Sequence, residues 1–569
     1  MESFRLKITN TFLTLKNTYT TLSPERVIVF WSLVFFSCVL FFAALIAINV
    51  RFTDVVPTLG GTVREGVIGT PRFINPVLAT SDQDLDMVAL VFAGLTKKEG
   101  TGSIVLDLAE SITESEDKLH YDIILKQRAR FHDGEPVTSD DVIYTISLIQ
   151  NPAIKSPHRV LFEGVTIDKV SDREFTVNLK KPFPLVMQAF TVGIVPKHVW
   201  KNLTDEQISL SDYNIHAIGS GPFMIEGVRT DSGIPVSFLL KAHESYTLGR
   251  PHLDSIELFM YQNEKYLTQA FNDGDIDRLH GISPEKISTL SIATTSVQTS
   301  LLPRTFTVFF NPNKADFLSD KKVRQALNLA INKEAIVQEI LQGYGYVIET
   351  PYPFDLNQPK AIFDKEKARA LLLESKYMKN ASSTLTIDIA TANTPEMKAV
   401  ADRIKTDWAD IGVTVNVLVY EFADLNQTII KERDYEALLF GTLTRTPSDL
   451  YAFWHSSQRA YPGLNISNYV SNKLDKNLTT LREDDNELNR VTAYDSVRSE
   501  FMDEVPGIFL YAPSLIYVAN DNVTSPLPLF SIDNSSRFLL VNDWYRYTER
   551  VWKFAHAKNI ESLLTNIIH

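Results

Sequence analysis

Phe131-His132-Asp133-Gly134 sets an imidazole beside a carboxylate, the material of general acid–base catalysis. The same four residues also read as a turn, because Asp-Gly bends the chain easily and Asp bonds to nearby backbone. Ile218-Gly219-Ser220-Gly221-Pro222-Phe223 invites a phosphate loop, but it lacks the lysine and hydroxyl of a P-loop, and Pro222 removes a cradle N–H. Ser448 before Asp449 is placed to cap a helix and leave N–H groups facing the loop ahead of it, which contains Arg445. Arg445 has two readings, a grip on a ligand carboxylate or a surface ion pair. The one cysteine, Cys38, excludes a disulfide framework and a cysteine-based zinc site. His455 reads as structural, and no multi-histidine cage gathers, so neither a metal nor a cofactor is expected.

The elements around the first of these groups are legible. Leu119, Tyr121, Ile123 and Leu125 alternate as one face of a strand. After the Asp133-Gly134 turn, Thr138 stands three residues before Asp141 in a capping-box pattern. Val142, Ile146 and Ile149 then follow at helical spacing, and Asn151-Pro152 closes the helix.

A chain of 569 residues exceeds one ordinary domain. With 44% hydrophobic residues it has material for large cores. Its net charge of -13 argues against a nucleic-acid partner, since no basic excess is present to neutralise phosphates. Arg26 and Arg51 bracket an uncharged run at 27–50, long enough to cross a bilayer core of roughly 30 Å. The run is longer than a signal-peptide core, so a retained transmembrane anchor is expected rather than a cleaved leader. Residues 1–26 carry Arg5, Lys7, Lys16 and Arg26 against Glu2 and Glu25. That balance puts the tail in the cytoplasm and the C-terminal body outside, at the periplasm or cell surface. The apolar run continues well past Cys38, against a lipobox there. Residues 51–59 are then a short tether, with Pro57 favouring extension.

Further on the pattern turns α/β. Leu385, Ile387 and Ile389 alternate as a strand, and Pro395 opens a helix with Met397, Val400, Ala401, Ile404 and Trp408 on one face. Gly412 stops that helix, and Val413, Val415, Val417 and Val419 alternate again, which implies a right-handed parallel crossover. A further strand is expected at 435–441, and sheets of this kind hold ligands beyond their strand ends.

Wording adds what spacing does not supply. FHDGEPVTSDDVIYTISLI, IGSGPF at 218–223, the Gly274–Asp277 turn and TPSDLYAFWHSSQRAYPGLNISNY at 446–469 resemble the extracellular solute-binding proteins of the peptide and nickel type, family 5. The resemblance runs from about residue 60 to residue 552. It implies an α/β, two-lobed periplasmic-binding-protein-like fold with a hinge and an extra subdomain on the first lobe, preceded here by the transmembrane helix. Lobe I is expected at 60–304, with the subdomain at about 95–215, lobe II at 305–514, and a return to lobe I at 515–569. It also implies that the His132–Asp133 pair is turn architecture, and that the protein is no enzyme. The expected role is capture of an oligopeptide-like ligand for an ABC permease and its ATPase. The alternatives are a non-peptide solute, such as an oligosaccharide or metal chelate, and a membrane-anchored hydrolase, for which no nucleophile–base or carboxylate pair is found.

Site residues follow by carry-over. Glu65, Phe73 and Asn75 belong to the first strand and the loop that lies beside the cleft in relatives, and Phe310 ends the strand expected to cross between lobes. The loop after Gly441 holds a tryptophan and an ammonium-binding acid in many peptide binders. In this chain those positions fall near Gly441 or Thr442 and at Thr444, beside Arg445. Asp449 matches a helix start, and Tyr451 and Trp454 either line the cleft or belong to a core face.

Overall fold

A computed structural model describes residues 23–553, apart from 101, 184, 292–295, 356, 379–384 and 521. Most of the expected tail, 1–22, and residues 554–569 lie outside the described residues. The chain forms two compact units, Leu59–Arg546 and the segments flanking it.

In the flanking unit, helix Pro24–Phe52 runs 29 residues with no buried side chain. It is long and apolar enough to cross a membrane. The segment expected as a plain tether is more structured. Arg51 and Phe52 continue the helix, and Thr53–Thr58 is a strand antiparallel to Tyr547–Trp552, with Thr53 opposite Trp552. Pro57 is tolerated because every strand of a two-stranded ribbon is an edge. Arg550 Nη1 donates to Thr53 Oγ1 at 3.3 Å, and Lys553 pairs with Asp54 at 3.7 Å.

The body, Leu59–Arg546, is built on a twelve-strand sheet with a lobe at each end. In the first lobe Thr62–Ile68 runs parallel to Ser255–Tyr261 and to Arg278–His280. Ile234–Ala242 joins the other edge of Ser255–Tyr261 and forms a hairpin with Phe223–Asp231. The extra subdomain is a four-strand sheet of Ala109–Glu114, His120–Leu125, Glu174–Asn178 and Thr166–Lys169. The His120–Leu125 strand buries Tyr121, Ile123 and Leu125 and exposes the residues between them, the alternation its sequence predicts. Helix Ser139–Gln150 buries Val142, Ile146 and Ile149. Asp141 closes its start by accepting the N–H and the hydroxyl of Thr138, at 2.8 and 2.7 Å.

In the second lobe Leu385–Ala392, helix Pro395–Ala409 and Val413–Tyr420 form the expected parallel crossover. The helix buries Met397, Val400, Ala401, Ile404 and Trp408, and Gly412 lies just beyond it at φ +87°. The next strand is Ala437–Leu443, two residues later than its sequence suggests. Tyr435 is instead a buried plug whose hydroxyl donates to the Ile466 carbonyl.

One strand belongs to both lobes. Residues 507–511 of Gly507–Ala519 pair with Arg304–Phe310, whereas 514–519 pair with Ser296–Leu301. Side chains up to Ala512 pack into the second-lobe core, and Ile516, Tyr517 and Val518 pack into first-lobe clusters. The switch falls at Pro513, whose carbonyl accepts the Leu302 N–H at 3.2 Å, and Pro303 follows directly in the second crossing. Each of these two adjacent crossings carries a proline that offers no N–H to the ladder, and the short strand Gly345–Val347 pairs with Gly507–Ala519 at Tyr511–Pro513.

Candidate ligand cleft

A cavity of about 760 Å³ lies between the first lobe and the Arg445–Asp449 loop of the second. Its apolar wall is the face of helix Asp82–Val91 carrying Leu85, Val88 and Ala89, continued by Phe92. Ser81 caps that helix in a capping box with Asp84, whose carboxylate also takes the N–H groups of Arg72 and Phe73 at 2.7 and 2.8 Å. The far end of the helix meets the glycine-rich element. A Cβ on Gly219 would lie 2.0 Å from the Val91 carbonyl oxygen, so only glycine admits this approach. The Gly221 N–H donates to that same carbonyl at 2.8 Å. The 218–223 element is therefore a packing joint, as the absence of a phosphate-loop lysine predicts.

His132 belongs to the same joint. Its N–H donates to the Gly219 carbonyl at 2.8 Å, and its Nδ1 accepts the Gly219 N–H at 3.3 Å. That arrangement makes Nε2 the protonated nitrogen, 3.2 Å from the Gly221 carbonyl. His243 donates to the same carbonyl from Nδ1 at 3.1 Å, with its ring 4.9 Å from that of His132. Burial, then the nearby His243, pushes the His132 pKa down to about 3. Asp133 pairs instead with His198 at 2.7 Å. The two residues of the tempting acid–base pair thus face different partners.

The polar side of the cavity comes from a hairpin of Thr96–Lys98 and Ile104–Leu106. Gly94 holds it against the chain, since a Cβ there would meet the Phe190 and Thr191 backbone at 2.7 Å. Lys97 projects over the Tyr246 ring, 5.7 Å from its centre. The Tyr246 hydroxyl donates to buried Asp107 at 2.7 Å, and the Thr247 hydroxyl donates to it as well. Burial raises the Asp107 pKa and lowers those of Lys97 and Lys98. Burial, and then the charge of Arg445, lowers that of His158.

Of the ten residues singled out from sequence, Arg445 and Asp449 border this cavity. Asp449 accepts the N–H groups of Arg445 and Thr446 at 2.8 and 2.9 Å. This corrects the expected cap. Thr446 takes the N-cap position because Pro447 begins the turn, and Ser448 donates instead to the Leu481 carbonyl at 2.8 Å. Asp449 thus binds the loop's own N–H groups, and its own N–H donates back to the Thr446 carbonyl at 3.1 Å. Thr444 is 1% exposed, with its N–H on the Pro303 carbonyl at 2.8 Å. Thr442 shares a hydroxyl bond of 2.9 Å with Thr305 on the neighbouring strand.

The remaining residues do not line this cavity. Glu65 is wholly buried, held by Arg537 Nε at 2.7 Å and the Tyr517 hydroxyl at 2.6 Å. Asn75 is buried too, accepting the Val77 N–H at 2.9 Å, and half-buried Phe73 lies under Arg72. Phe310 is in the second-lobe core. Trp454 is 2% exposed and packs on Phe309, Phe501 and Phe509. Tyr451 stacks on His455 with Arg482 over its ring. Among the described residues no three His, Cys, Asp or Glu side chains gather as a metal site.

Sequence reasoning missed Lys97, Lys98 and Asp107. The usable signal was two adjacent lysines directly after the apolar run Val88–Leu95.

Known proteins share this fold. The oligopeptide-binding protein AppA of Bacillus subtilis is 27% identical over 479 residues, covering 80% of this chain and 87% of AppA. The AppA structure in complex with a nonapeptide superposes with a TM-score of 0.63 at 25% identity, covering 86% of this chain and 100% of that one. NikZ from Campylobacter jejuni, in complex with Ni(L-His), gives a TM-score of 0.66 at 25% identity, covering 85% and 99%. Residues 103–461 match the profile described as "Bacterial extracellular solute-binding proteins, family 5 Middle", and the chain belongs to that family.

Proposed function

We propose that this protein is the membrane-tethered, extracytoplasmic receptor of an ABC importer, and that it captures an oligopeptide-like ligand between its lobes. The observation that carries the reading is the cavity of about 760 Å³ placed where the two lobes face each other. Its size is in the range of small-molecule sites, and its mixture of an apolar wall with a few charged groups suits a ligand of variable side chains. Closure about Pro303 and Pro513 would wrap the ligand and present the closed form to a permease. AppA, named as an oligopeptide-binding protein, supports the peptide assignment. Helix Pro24–Phe52 supports the tether, and the basic tail before it supports a cytoplasmic N-terminus. The family consists of solute carriers, so the reading requires no reaction on the ligand.

A second reading, a small non-peptide solute, is favoured by the likeness to NikZ bound to Ni(L-His). Native mass spectrometry of the detergent-purified full chain separates the two. A ladder of peptide masses on the protein is expected, and a single non-peptide mass would replace the first reading with the second.

A further inference from the structure

We propose that the cleft selects a ligand with negative charge at two places, an acidic oligopeptide gripped by Lys97 and Lys98 at one end and Arg445 at the other. This rests on the cavity being the ligand site. Lys97, Lys98 and Arg445 all border it, from the first lobe and from the second. Among the described residues none of the three makes a side-chain hydrogen bond or ion pair. The bordering acids are in the opposite condition. Asp107 accepts two hydroxyls, Asp449 two backbone N–H groups, and Asp533 the Ser536 N–H at 3.1 Å and the Ser535 hydroxyl at 2.6 Å.

A ligand ammonium would meet acids that each already hold protein donors, although Asp449 and Asp533 take theirs on a single oxygen and keep the other open. A ligand carboxylate would meet three cations with donors to spare, and charge-assisted bonds are the strong ones. Lys97 and Lys98 are partly withdrawn from water, so an arriving anion replaces solvation they have already lost. Carboxylates on a non-peptide solute would satisfy the same three groups, so the source of the charge has to be tested with the charge itself.

Calorimetric titration of the full chain in detergent with Glu-Glu-Glu, Ala-Ala-Ala, Lys-Lys-Lys and citrate separates these cases. Glu-Glu-Glu is expected to bind at least tenfold more tightly than Ala-Ala-Ala, with an affinity that falls as salt rises. Lys98→Gln and Arg445→Gln should each remove threefold or more of that preference, and a Lys97→Met variant with unchanged melting temperature should do the same. Arg445 is exposed, so its variant tests the idea even if Lys97→Met fails to fold. Equal or tighter binding of Ala-Ala-Ala or Lys-Lys-Lys overturns the charge selection and leaves the peptide reading intact. Binding of citrate alone, weakened by Lys98→Gln, supports the selection and ends the peptide reading. If none of the four binds, both fall.

Discussion

Arg537 Nε donates to Glu65 Oε1 at 2.7 Å, joining the first strand of the body to a helical turn 472 residues later. The same guanidinium holds Asp86 at 2.6 and 2.8 Å, and Asp86 lies 3.5 Å from His280. Arg537 and Glu65 have no solvent exposure, so each charge depends on its partner. Arg537→Met should cost about 3–5 kcal/mol, the usual penalty for stranding buried charge. Glu65→Gln should lower the melting temperature while changing ligand affinity less than twofold. A selective loss of affinity at full stability would return Glu65 to the binding site.

Acidification should loosen the first lobe. The His132 pKa in the fold is about 3, against 6.5 for an unperturbed imidazole. Between these values the unfolded chain binds a proton that the folded one refuses, so this contribution is whole above pH 6.5 and fades as pH falls. The slope is roughly 1.4 kcal/mol per pH unit for one such group. The His243 pKa is also lowered by burial and adds in the same sense, whereas the raised pKa of Asp107 acts in the opposite one. Urea unfolding between pH 7.5 and 5 should show the slope, and His132→Asn should flatten it. An unchanged slope in that variant would mean the joint does not depend on a neutral imidazole.

Blocking a peptide's amino end should matter little. Thr444 is a buried neutral residue whose N–H is bound to the Pro303 carbonyl. The nearby Asp449 carboxylate already serves two backbone donors. N-acetylation is therefore expected to weaken binding by less than tenfold, or about 1.4 kcal/mol. A hundredfold loss in matched titrations would show that an acid of the cleft turns toward the ligand on closure.

The anchor has a simple signature. Helix Pro24–Phe52 buries no side chain within the protein and is long and apolar enough to cross a membrane, as the proposed anchor requires. The full chain should sediment with membranes and leave them only in detergent. A mature chain that begins near Arg51 would replace the anchor with a leader.

Much of the fold was legible because local patterns and tertiary placement agree. Tyr121, Ile123 and Leu125 alternate and are buried, and Met397 to Trp408 share one helical face and pack on the sheet. The cleft was not legible to the same degree, because seven separated stretches of chain build it and each looks ordinary alone. The Arg445–Asp449 loop was found through its wording. Lys97 and Lys98 carried no wording, and two adjacent lysines after an apolar run were their one local signal. Glu65 went the other way. A charged residue in a first strand reads as exposed or functional until its distant partner, Arg537, is placed beside it.

The pairing of Thr53–Thr58 with Tyr547–Trp552 bears on the order in which the protein is made. Synthesis delivers the second of these strands only after the whole body that separates it from the first. The seam beside helix Pro24–Phe52, like the Glu65–Arg537 contact, must wait for that body to be made. The second lobe, drawn from a continuous middle stretch, has no such wait. A ribosome that stalls before Arg537 would leave a finished second lobe beside a first lobe with Glu65 and Asp86 unmatched.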